Sequence, residues 1–538
     1  MASVKSGGWR EPSIALTYPA AKPSFPSMLA FPNPLFGHEE KKRGIATREV
    51  VPDRRQATTS SLSDFSPRPE GVAGLESMPA RFVNIDHDTP LLLPPDLRDW
   101  VPEDHLVHFI MDAVGLLDLR AARVNHSGSG SEQFPPSLML GLLIYSYATG
   151  TFSSRRIEKH TYEQVAVRLL CADHHPDHDT ICAFRRENRE LLAGSFHQVL
   201  ETAARIRVLR VGDVTLALDG TKILANASKH SAVSHGQATA QMALLEEEIA
   251  QLLQKAEEAD STPLEDGLTV PAEVARRQQR IEKLRAATAA IEARAKERHR
   301  EEMASFAEKQ KRRDEQQAAG KKPKGRAPQP PREGPRSKDQ YNFTDPESRI
   351  MKSGAGFEQS YNAQAAVEVE SRLLVSQTVT DAPNDKEQLA PTLAATSPVI
   401  EHLAAVLVDS GFYSQAAVSA VESGRDGRPG PTVYAATGRQ PHGRTVEALE
   451  KRADPPAPGP TASAAAVMAH RLSTKAGRAL YALRKQTIEP VFGIIKAALG
   501  FDRFSLRGLG KVRTEWTLVT LAYNLKRLYH LGARLQPA

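Results

Sequence analysis

Two aspartates in this sequence each follow a short apolar segment that has the composition of a β-strand. Asp219 comes directly after residues 214–218, and Asp409 comes directly after residues 404–408. Small residues follow both acids, which lets the backbone or another molecule approach closely. Carboxylates held at strand ends are suited to bind Mg²⁺, which prefers oxygen ligands. An aspartate after a strand is also a common turn former, so each one alone leaves both interpretations open.

A third acid, Glu489, lies towards the C-terminal end in a segment with helical spacing. Cleavage of a phosphodiester at neutral pH needs an activated nucleophile and a cation near the leaving oxygen, and Mg²⁺ ions clamped by carboxylates supply both. A metal site of this kind requires acids that are held rigidly, for example two on strands and one on a helix beside the sheet. Asp219, Asp409 and Glu489 are therefore candidate metal ligands.

The elements that must position these acids change character along the chain. Residues 91–206 carry apolar side chains at helical spacing, which predicts a helix-rich region. Alternating or continuous apolar runs predict strands at residues 214–218, 363–369, 373–379, 404–408 and near Val433. Residues 472–499 and 514–531 are helical again. We therefore predict an α/β domain with a helical region before it.

A long helical insertion separates the first strand from the others. Apolar residues recur at helical spacing over residues 245–291, and Pro263, Gly267 and Pro271 interrupt them, which predicts two helices folded as a hairpin. Residues 309–338 then hold eleven Lys or Arg against three Asp or Glu, among many Pro, Gly and Gln. We predict a flexible basic loop there, which is either an arm for phosphate groups or a solvated linker.

Several strings in the sequence resemble those of bacterial insertion-sequence DDE transposases. They cover the chain from about Arg81 onwards and follow one another in the order that the family has. The strings are LALDGTKILANAS at 216–228, NFTDPESRIMK at 342–352, YNAQAAVEV at 361–369, VLVDSGFYS at 406–414, YALRKQTIEPVFGIIK at 481–496 and EWTLVTLAYNLKRL at 515–528. In the family, the first Asp precedes Gly-Thr or Gly-Ser, the second precedes a Gly-Tyr or Gly-Phe turn, and the Glu precedes Pro-Val-Phe-Gly.

The resemblance implies that Asp219, Asp409 and Glu489 are catalytic and hold metal, expected to be two Mg²⁺ or Mn²⁺ ions. It implies an α/β fold with an RNase H-like mixed sheet flanked by helices, interrupted by the helical hairpin and preceded by an all-α domain. The implied reaction is cleavage of transposon ends by metal-activated water, followed by attack of the freed 3′-hydroxyl on target DNA. The alternatives are an RNase H-like nuclease without strand transfer and an inactive, transposase-derived DNA-binding or scaffolding protein.

Cations close to the glutamate are candidate contacts for DNA phosphates. Lys496 matches the lysine of the family, seven residues after Glu489, and on a continuous helix it would share a face with that acid. Arg484 lies one residue further from the glutamate than the family's arginine, and Lys485 occupies the usual place. We predict that all three cations bind DNA, and that Pro490 kinks the helix that carries them.

The string CADHHPDHDTIC at residues 171–182 has two interpretations. The spacing of zinc ligands is present in Cys171, His174, His178 and Cys182. No second ligand pair follows at the spacing of a zinc finger. The alternative is the start of a helix near Thr180 with Asp177 or Asp179 as its N-cap.

The helix that begins near Thr180 carries a row of arginines. Arg185, Arg186 and Arg189 are predicted to lie along one of its sides. Such a helix docks on DNA, by groove or by backbone, or forms a plain solvated basic face. The first interpretation makes these three arginines candidate DNA-binding residues.

Composition limits the class of protein and its compartment. The 538 residues carry a net charge of +6, a mild basic excess that suits a polyanionic partner. With two cysteines, no membrane-spanning run and no secretory signal, we predict a cytoplasmic, nucleoid-associated protein. The sequence has no phosphate-binding P-loop string, so no nucleotide cofactor is expected. The predicted partner is double-stranded DNA, both terminal repeats and target, and two ends held together imply a homo-oligomer.

Four parts of the chain follow from these patterns. The segment 1–77 is predicted to be a disordered tail, with Met78 as an alternative start of translation. Residues 78–206 form the helical DNA-binding domain. The catalytic domain combines residues 207–236 and 341–538, and the helical hairpin with its basic loop occupies residues 237–340.

Overall fold

The fold is seen in a computed structural model that describes most of the chain beyond residue 95. The described residues are 96–124, 133–259, 270–318, 320, 327–353, 356–424, 429–438, 453–459 and 461–535. They fall within one compact unit, Pro90–Ala538. The predicted tail at residues 1–77 and the alternative start at Met78 lie outside the described residues.

A mixed six-stranded sheet is the framework of the described chain. The strands are β1 (Val214–Leu224), β2 (Ala232–Ser234), β3 (Gln340–Asn342), β4 (Arg349–Ser353), β5 (Gly356–Glu368), β6 (Leu374–Thr380), β7 (Leu403–Val408) and β8 (Thr432–Ala435). All except β2 and β3, which pair with each other, form the large sheet. Within it β1 is antiparallel to β5 and parallel to β7, and β8 extends the parallel side. Both β4 and β6 pair with the long β5.

Helices precede and follow the sheet in the chain. Those before it are α1 (Leu106–Gly115), α2 (Pro136–Ala148), α3 (Ser154–Glu163), α4 (Val165–Leu170), α5 (His178–Glu187) and α6 (Arg189–Arg205). The later ones are α7 (His235–Ala259), α8 (Val270–Ala318), α9 (Leu389–Ala394), α10 (Gln415–Glu422), α11 (Ala464–Ser473), α12 (Lys475–Gly493) and α13 (Leu509–His530). The expected mixed sheet flanked by helices is present.

The sheet is covered on both faces. Ser376 and Gln377 are neighbours in β6 and therefore point to opposite faces. The Ser376 hydroxyl donates to the carbonyl of Thr392 in α9, and the Gln377 amide donates to the hydroxyl of Thr517 in α13. Because β7 and the first half of β1 are buried within the sheet, these segments are mostly apolar in sequence.

Helices α7 and α8 lie between β2 and β3 in the chain and pack against each other. Arg277 on α8 pairs with Glu248 on α7, and Arg285 pairs with Glu246, so the two helices run antiparallel. The β2–β3 ladder holds their bases together. The sequence predicts that the flexible basic loop begins at Lys309, but α8 continues to Ala318. Its last ten residues contain no Gly or Pro and consist largely of good helix formers.

One buried core joins the first helical part to the sheet. Helix α13 packs against α2 and α6 on one side and against β6 on the other. Its Trp516 is fully buried and the indole N–H donates to the carbonyl of Gln364 in β5. The apolar side chains of the early helices and of the sheet thus form one continuous cluster. No helix in the described part of the chain is both long and apolar enough to cross a membrane.

Candidate active site

Asp219 lies within β1 and not at its end. The sequence predicts that the strand stops before this residue, but β1 continues to Leu224. The added residues stay in the sheet because they pair with β5, with Gly220 opposite Gln364. Their polar side chains interrupt the apolar alternation, which is why the pattern ends too early. The Asp219 carboxylate is therefore held by a strand that has a partner on each side.

Asp409 directly follows β7, as predicted, and lies level with Asp219. The parallel register pairs Ala217 with Leu407, each two residues before one of the aspartates, and the charge of Asp409 raises the pKa of Asp219, so the two acids are near neighbours. Neighbouring strands are about 4.8 Å apart. The Asp409 Oδ1 accepts a hydrogen bond of 2.7 Å from the backbone N–H of Gly411, which fixes the turn after the strand.

The guanidinium of Arg484 lies between Asp219 and Glu489. Its Nη1 donates to Asp219 Oδ2 at 2.9 Å, and its Nη2 is 3.8 Å from Glu489 Oε1. Burial raises the pKa of Asp219 to about 6, an effect that Arg484 opposes and the nearby Asp409 increases. The Arg484 side chain is 10% exposed, whereas that of Glu489 is 55% exposed. Asp219 and Glu489 therefore lie on either side of the Arg484 guanidinium, and Asp409 lies near Asp219.

Helix α12 is fixed over β1 by its inner face. Ile488 and Val491 are fully buried there, and the hydroxyl of Tyr481 donates to the carbonyl of Val408 at the end of β7. The helix continues past Pro490 and its last turn widens into a π-helical turn, Ile494–Ala498. Glu489 thus lies at the exposed edge of a helix that is anchored beside both aspartates.

The side chains at this centre have the right chemistry for a divalent cation, but they are not close enough together to form a complete binding site. Among the described residues, no three His, Cys, Asp or Glu side chains are close enough together to hold a metal ion. Asp219 and Asp409 offer carboxylate oxygens, the ligands that Mg²⁺ prefers. A positive charge, that of Arg484, already stands against Asp219. The donor type and the charge therefore fit a divalent ion at the sheet, with Glu489 as a more distant member.

The other cations predicted from this helix lie in different surroundings. Lys496 lies in the π-helical turn, where its ammonium donates to the carbonyl of Lys222 in β1 at 2.8 Å. Burial lowers the pKa of Lys496, whereas Asp502 opposes the change. Lys485 is exposed, and Arg484 points inward. Of the three predicted DNA contacts, only Lys485 presents its charge freely to the outside, and the wider turn removes the assumption of a continuous helical face.

A polar cluster that the sequence interpretation missed lies on the opposite face of β1. The Asp385 Oδ1 accepts hydrogen bonds of 2.7 Å from both Asn362 and Gln364, and the ammonium of Lys222 is 3.4 Å away. A Cβ at Gly220 would lie 2.6 Å from this oxygen. The sequence held one indication of this cluster, because the residues that follow β6 are largely polar. In the structure these residues reach the sheet beside Asp219. A larger residue directly after Asp219 would have to displace these hydrogen-bonded side chains.

We expect a Gly220→Ala variant to lose about 1–3 kcal/mol of unfolding free energy, the usual range for overpacking. The added methyl group would lie 2.4 Å from the amide nitrogen of Gln364, well inside contact distance. Chemical denaturation of the full chain measures the loss. Gly493→Ala is the matched control, because its Cβ meets nothing within 4 Å and alanine is the better helix former. Equal stability of the two variants would contradict this account of the packing.

The arginines of the first helical part are not on one side of a single helix. Arg185 is 3% exposed, and its Nη1 donates to the hydroxyl of Tyr147 at 2.7 Å. That hydroxyl is 3.4 Å from Glu515 in α13, a carboxylate that is fully buried. Burial raises the pKa of Glu515, and the Arg185 charge opposes this rise. Arg185 therefore joins two helices inside the protein, which corrects the expectation that it faces a ligand.

The remaining predictions for this region have mixed outcomes. Asp177 is the N-cap of α5, and its side chain accepts from the backbone N–H of Thr180, which confirms the capping interpretation. Helix α5 ends at Glu187, and the buried Asn188 separates it from the next helix, which begins at Arg189. Arg186 and Arg189 are both exposed.

The string of cysteines and histidines is divided between different contacts. Cys171 is buried, and burial raises the pKa of its thiol to about 12. The sulfur of Cys182 lies 3.0 Å from the Ser154 hydroxyl, and His178 Nδ1 lies 2.8 Å from Glu158. These contacts support the helix interpretation of the segment, as the N-cap does.

The fold and the acidic centre define a class: an α/β protein with a pair of carboxylates on neighbouring strands of a mixed sheet. Two segments of the chain match family models of transposases. Residues 456–529 match "Transposase DDE domain", and residues 95–187 match "Transposase domain (DUF772)". No curated protein and no solved structure gives a significant match.

The matches fall on both ends of the described chain. The first includes Glu489 with the helix that carries it, and the second includes the helices from α1 to α5. Together they confirm the resemblance to insertion-sequence DDE transposases and support a transposase role. Asp219 and Asp409 lie between the two matched segments.

Proposed function

We propose that this protein cuts DNA at the ends of an insertion sequence and joins the ends to target DNA, with Asp219, Asp409 and Glu489 as its catalytic acids. The observation that carries the proposal is that Asp219 in β1 and Asp409 directly after the adjacent β7 are near neighbours, with Arg484 between Asp219 and Glu489. The strand pairing, with β1 between an antiparallel and a parallel neighbour, supports an RNase H-like sheet.

The acids are proposed to bind two Mg²⁺ or Mn²⁺ ions. Bound ions would supply an activated water and neutralise charge at the phosphodiester. Asp219 lies on paired backbone and Asp409 directly follows a paired strand, with its Oδ1 bound by the Gly411 N–H, so little ordering is needed when these ligands bind a metal. Glu489 is largely exposed and can turn towards them. Neither the strand cleavage nor the joining step requires a nucleotide cofactor.

The DNA is proposed to lie across the side of the protein that carries Lys485. This exposed lysine follows Arg484 on α12 and suits a phosphate next to the acids. Arg186 and Arg189 are exposed near the start of α6, and the paired helices α7 and α8 add Arg280 and Lys283. The domain limits given above, a homo-oligomer that holds two DNA ends, and action at the nucleoid remain parts of this proposal.

A strand-transfer assay tests the proposal. The substrate is a donor plasmid that carries the coding gene with its natural flanking DNA, together with a supercoiled target plasmid and Mg²⁺. We expect joined products that contain donor covalently linked to target. Cleavage without joined product would identify a nuclease instead. The absence of both, with DNA binding retained, would identify an inactive DNA-binding protein.

A further inference from the structure

We propose that Arg484 occupies the cation position of the acidic centre in the metal-free protein, and that a divalent metal must displace its guanidinium from Asp219. This inference rests on the proposed function, since it concerns how the same acids accept their metal. The inference is based on competition for one oxygen atom. Asp219 Oδ2, which would bind a metal, already accepts a 2.9 Å hydrogen bond from Arg484.

The charges around the centre explain why a cation is held there. Asp219 and Asp409 stand on adjacent strands, and Asp219 is largely buried, so ionisation of both without a counter-charge is unfavourable. Lys496 gives its ammonium to a backbone carbonyl, and Lys222 lies against Asp385 on the opposite face. The charge of Lys222 also acts on both aspartates, but Arg484 is the cation that contacts Asp219 directly from α12.

The contacts of Arg484 leave it able to move. It donates a hydrogen bond to Asp219, lies beside the hydroxyl of Tyr481 and approaches Glu489 at 3.8 Å, while its Nε is buried without a partner. An incomplete set of hydrogen bonds is expected of a side chain that exchanges partners, because a fully hydrogen-bonded network holds its side chains rigidly. Glu489 is exposed and offers a second carboxylate near the same guanidinium. A metal at Asp219 and Asp409 would therefore leave Arg484 paired with Glu489 or free to reach a DNA phosphate.

The neighbouring residue provides a contrast within the same helix turn. Lys485 carries the same charge but is exposed, and no contact joins it to the aspartates. Removal of either cation changes the net charge of the protein equally. Only removal of Arg484 frees Asp219 Oδ2, so the two substitutions separate competition at one atom from a general electrostatic effect.

Calorimetric titration of the full chain with MgCl₂ and with MnCl₂, without DNA, tests the inference. We expect Arg484→Gln to bind metal about tenfold more tightly than the natural protein, equivalent to about 1.4 kcal/mol. Arg484→Lys retains the charge with a single-pronged donor and should fall between the two. Lys485→Gln should stay within about twofold of the natural protein. The titrations are made at pH 8.5, since loss of Arg484 raises the pKa of Asp219 further above 6.

Unfolding temperature provides a second readout that does not depend on catalysis. Without metal, Arg484→Gln should unfold at a lower temperature than the natural protein, and Mg²⁺ should raise its midpoint by more. If Arg484→Gln and Arg484→Lys both bind metal no more tightly than the natural protein, the inference is wrong and the proposed function stands. If the natural protein binds no metal, or binds it equally after Asp219→Asn, both are overturned.

Discussion

An Asp409→Asn variant is expected to lose Mg²⁺-dependent DNA cleavage by at least about a thousandfold while keeping its fold. Asparagine removes one negative charge and one metal donor beside Asp219. It keeps the Oδ1 acceptor that fixes the turn through Gly411, so the strand end need not change. Cleavage of a donor plasmid that carries the gene with its flanking DNA measures the effect, and chemical denaturation checks the stability.

The control for this variant lies at the other end of the same two strands. Asp213 precedes β1 and its carboxylate contacts His402, next to the first residue of β7. Its backbone is in the left-handed region, which asparagine tolerates. Asp213→Asn should cleave DNA at the rate of the natural protein. Retained cleavage in Asp409→Asn, with Mg²⁺ still required, would remove this acid from the proposed catalytic set.

An Arg185→Gln variant is expected to lose about 3 kcal/mol of unfolding free energy, because a buried carboxylate loses its compensating charge. Glu515 would keep the uncharged groups around it, which are the hydroxyl of Tyr147, the Ser505 side chain and the backbone N–H groups of Ser505 and Leu506. Chemical denaturation measures the loss. Since Glu515 joins α13 to the early helices through Tyr147, the damage should reach both the helical part and the sheet.

Arg186→Gln is the matched control for that loss. Arg186 is exposed and pairs only with the adjacent Glu187, so its replacement should change stability by less than about 0.5 kcal/mol. Arg186→Gln should instead weaken DNA binding. Arg185→Gln, measured at a temperature at which it is still folded, should bind DNA with the affinity of the natural protein. A stable Arg185→Gln protein with weakened DNA binding would restore the interpretation of Arg185 as a DNA contact.

The sequence predicted elements where a single periodicity dominates. The apolar run before Asp409 specified β7 and its end, and Asp177 specified the start of α5, because local chemistry decides both. The extension of β1 beyond Asp219 could not be seen, since pairing with a distant strand and not its own pattern keeps it extended. The burial of Arg185 depends on Glu515, which lies more than 300 residues away in the chain.

The candidate site was predictable in its residue types and less so in its arrangement. Two aspartates followed from strand signals, and the family match supports the segment with the glutamate. Arg484 lies one residue further from Glu489 than the family's arginine, and Lys485 occupies the usual place. Only the packing of α12 shows that Arg484 is buried and Lys485 is exposed. Asp385 belongs to a loop without periodicity, so its approach to Gly220 requires the three-dimensional structure.

Helix α13 is shared by the early helices and the sheet, and this limits how the protein can handle a long substrate. If the early helices bind DNA as proposed, a hinge cannot swing that DNA towards the acids, because within the described residues these helices and the sheet share one buried core. The phosphodiester to be cut must instead be brought to the acids by bending of the DNA or by a second copy of the protein. Delivery of the scissile bond is thus a matter of substrate shape and assembly.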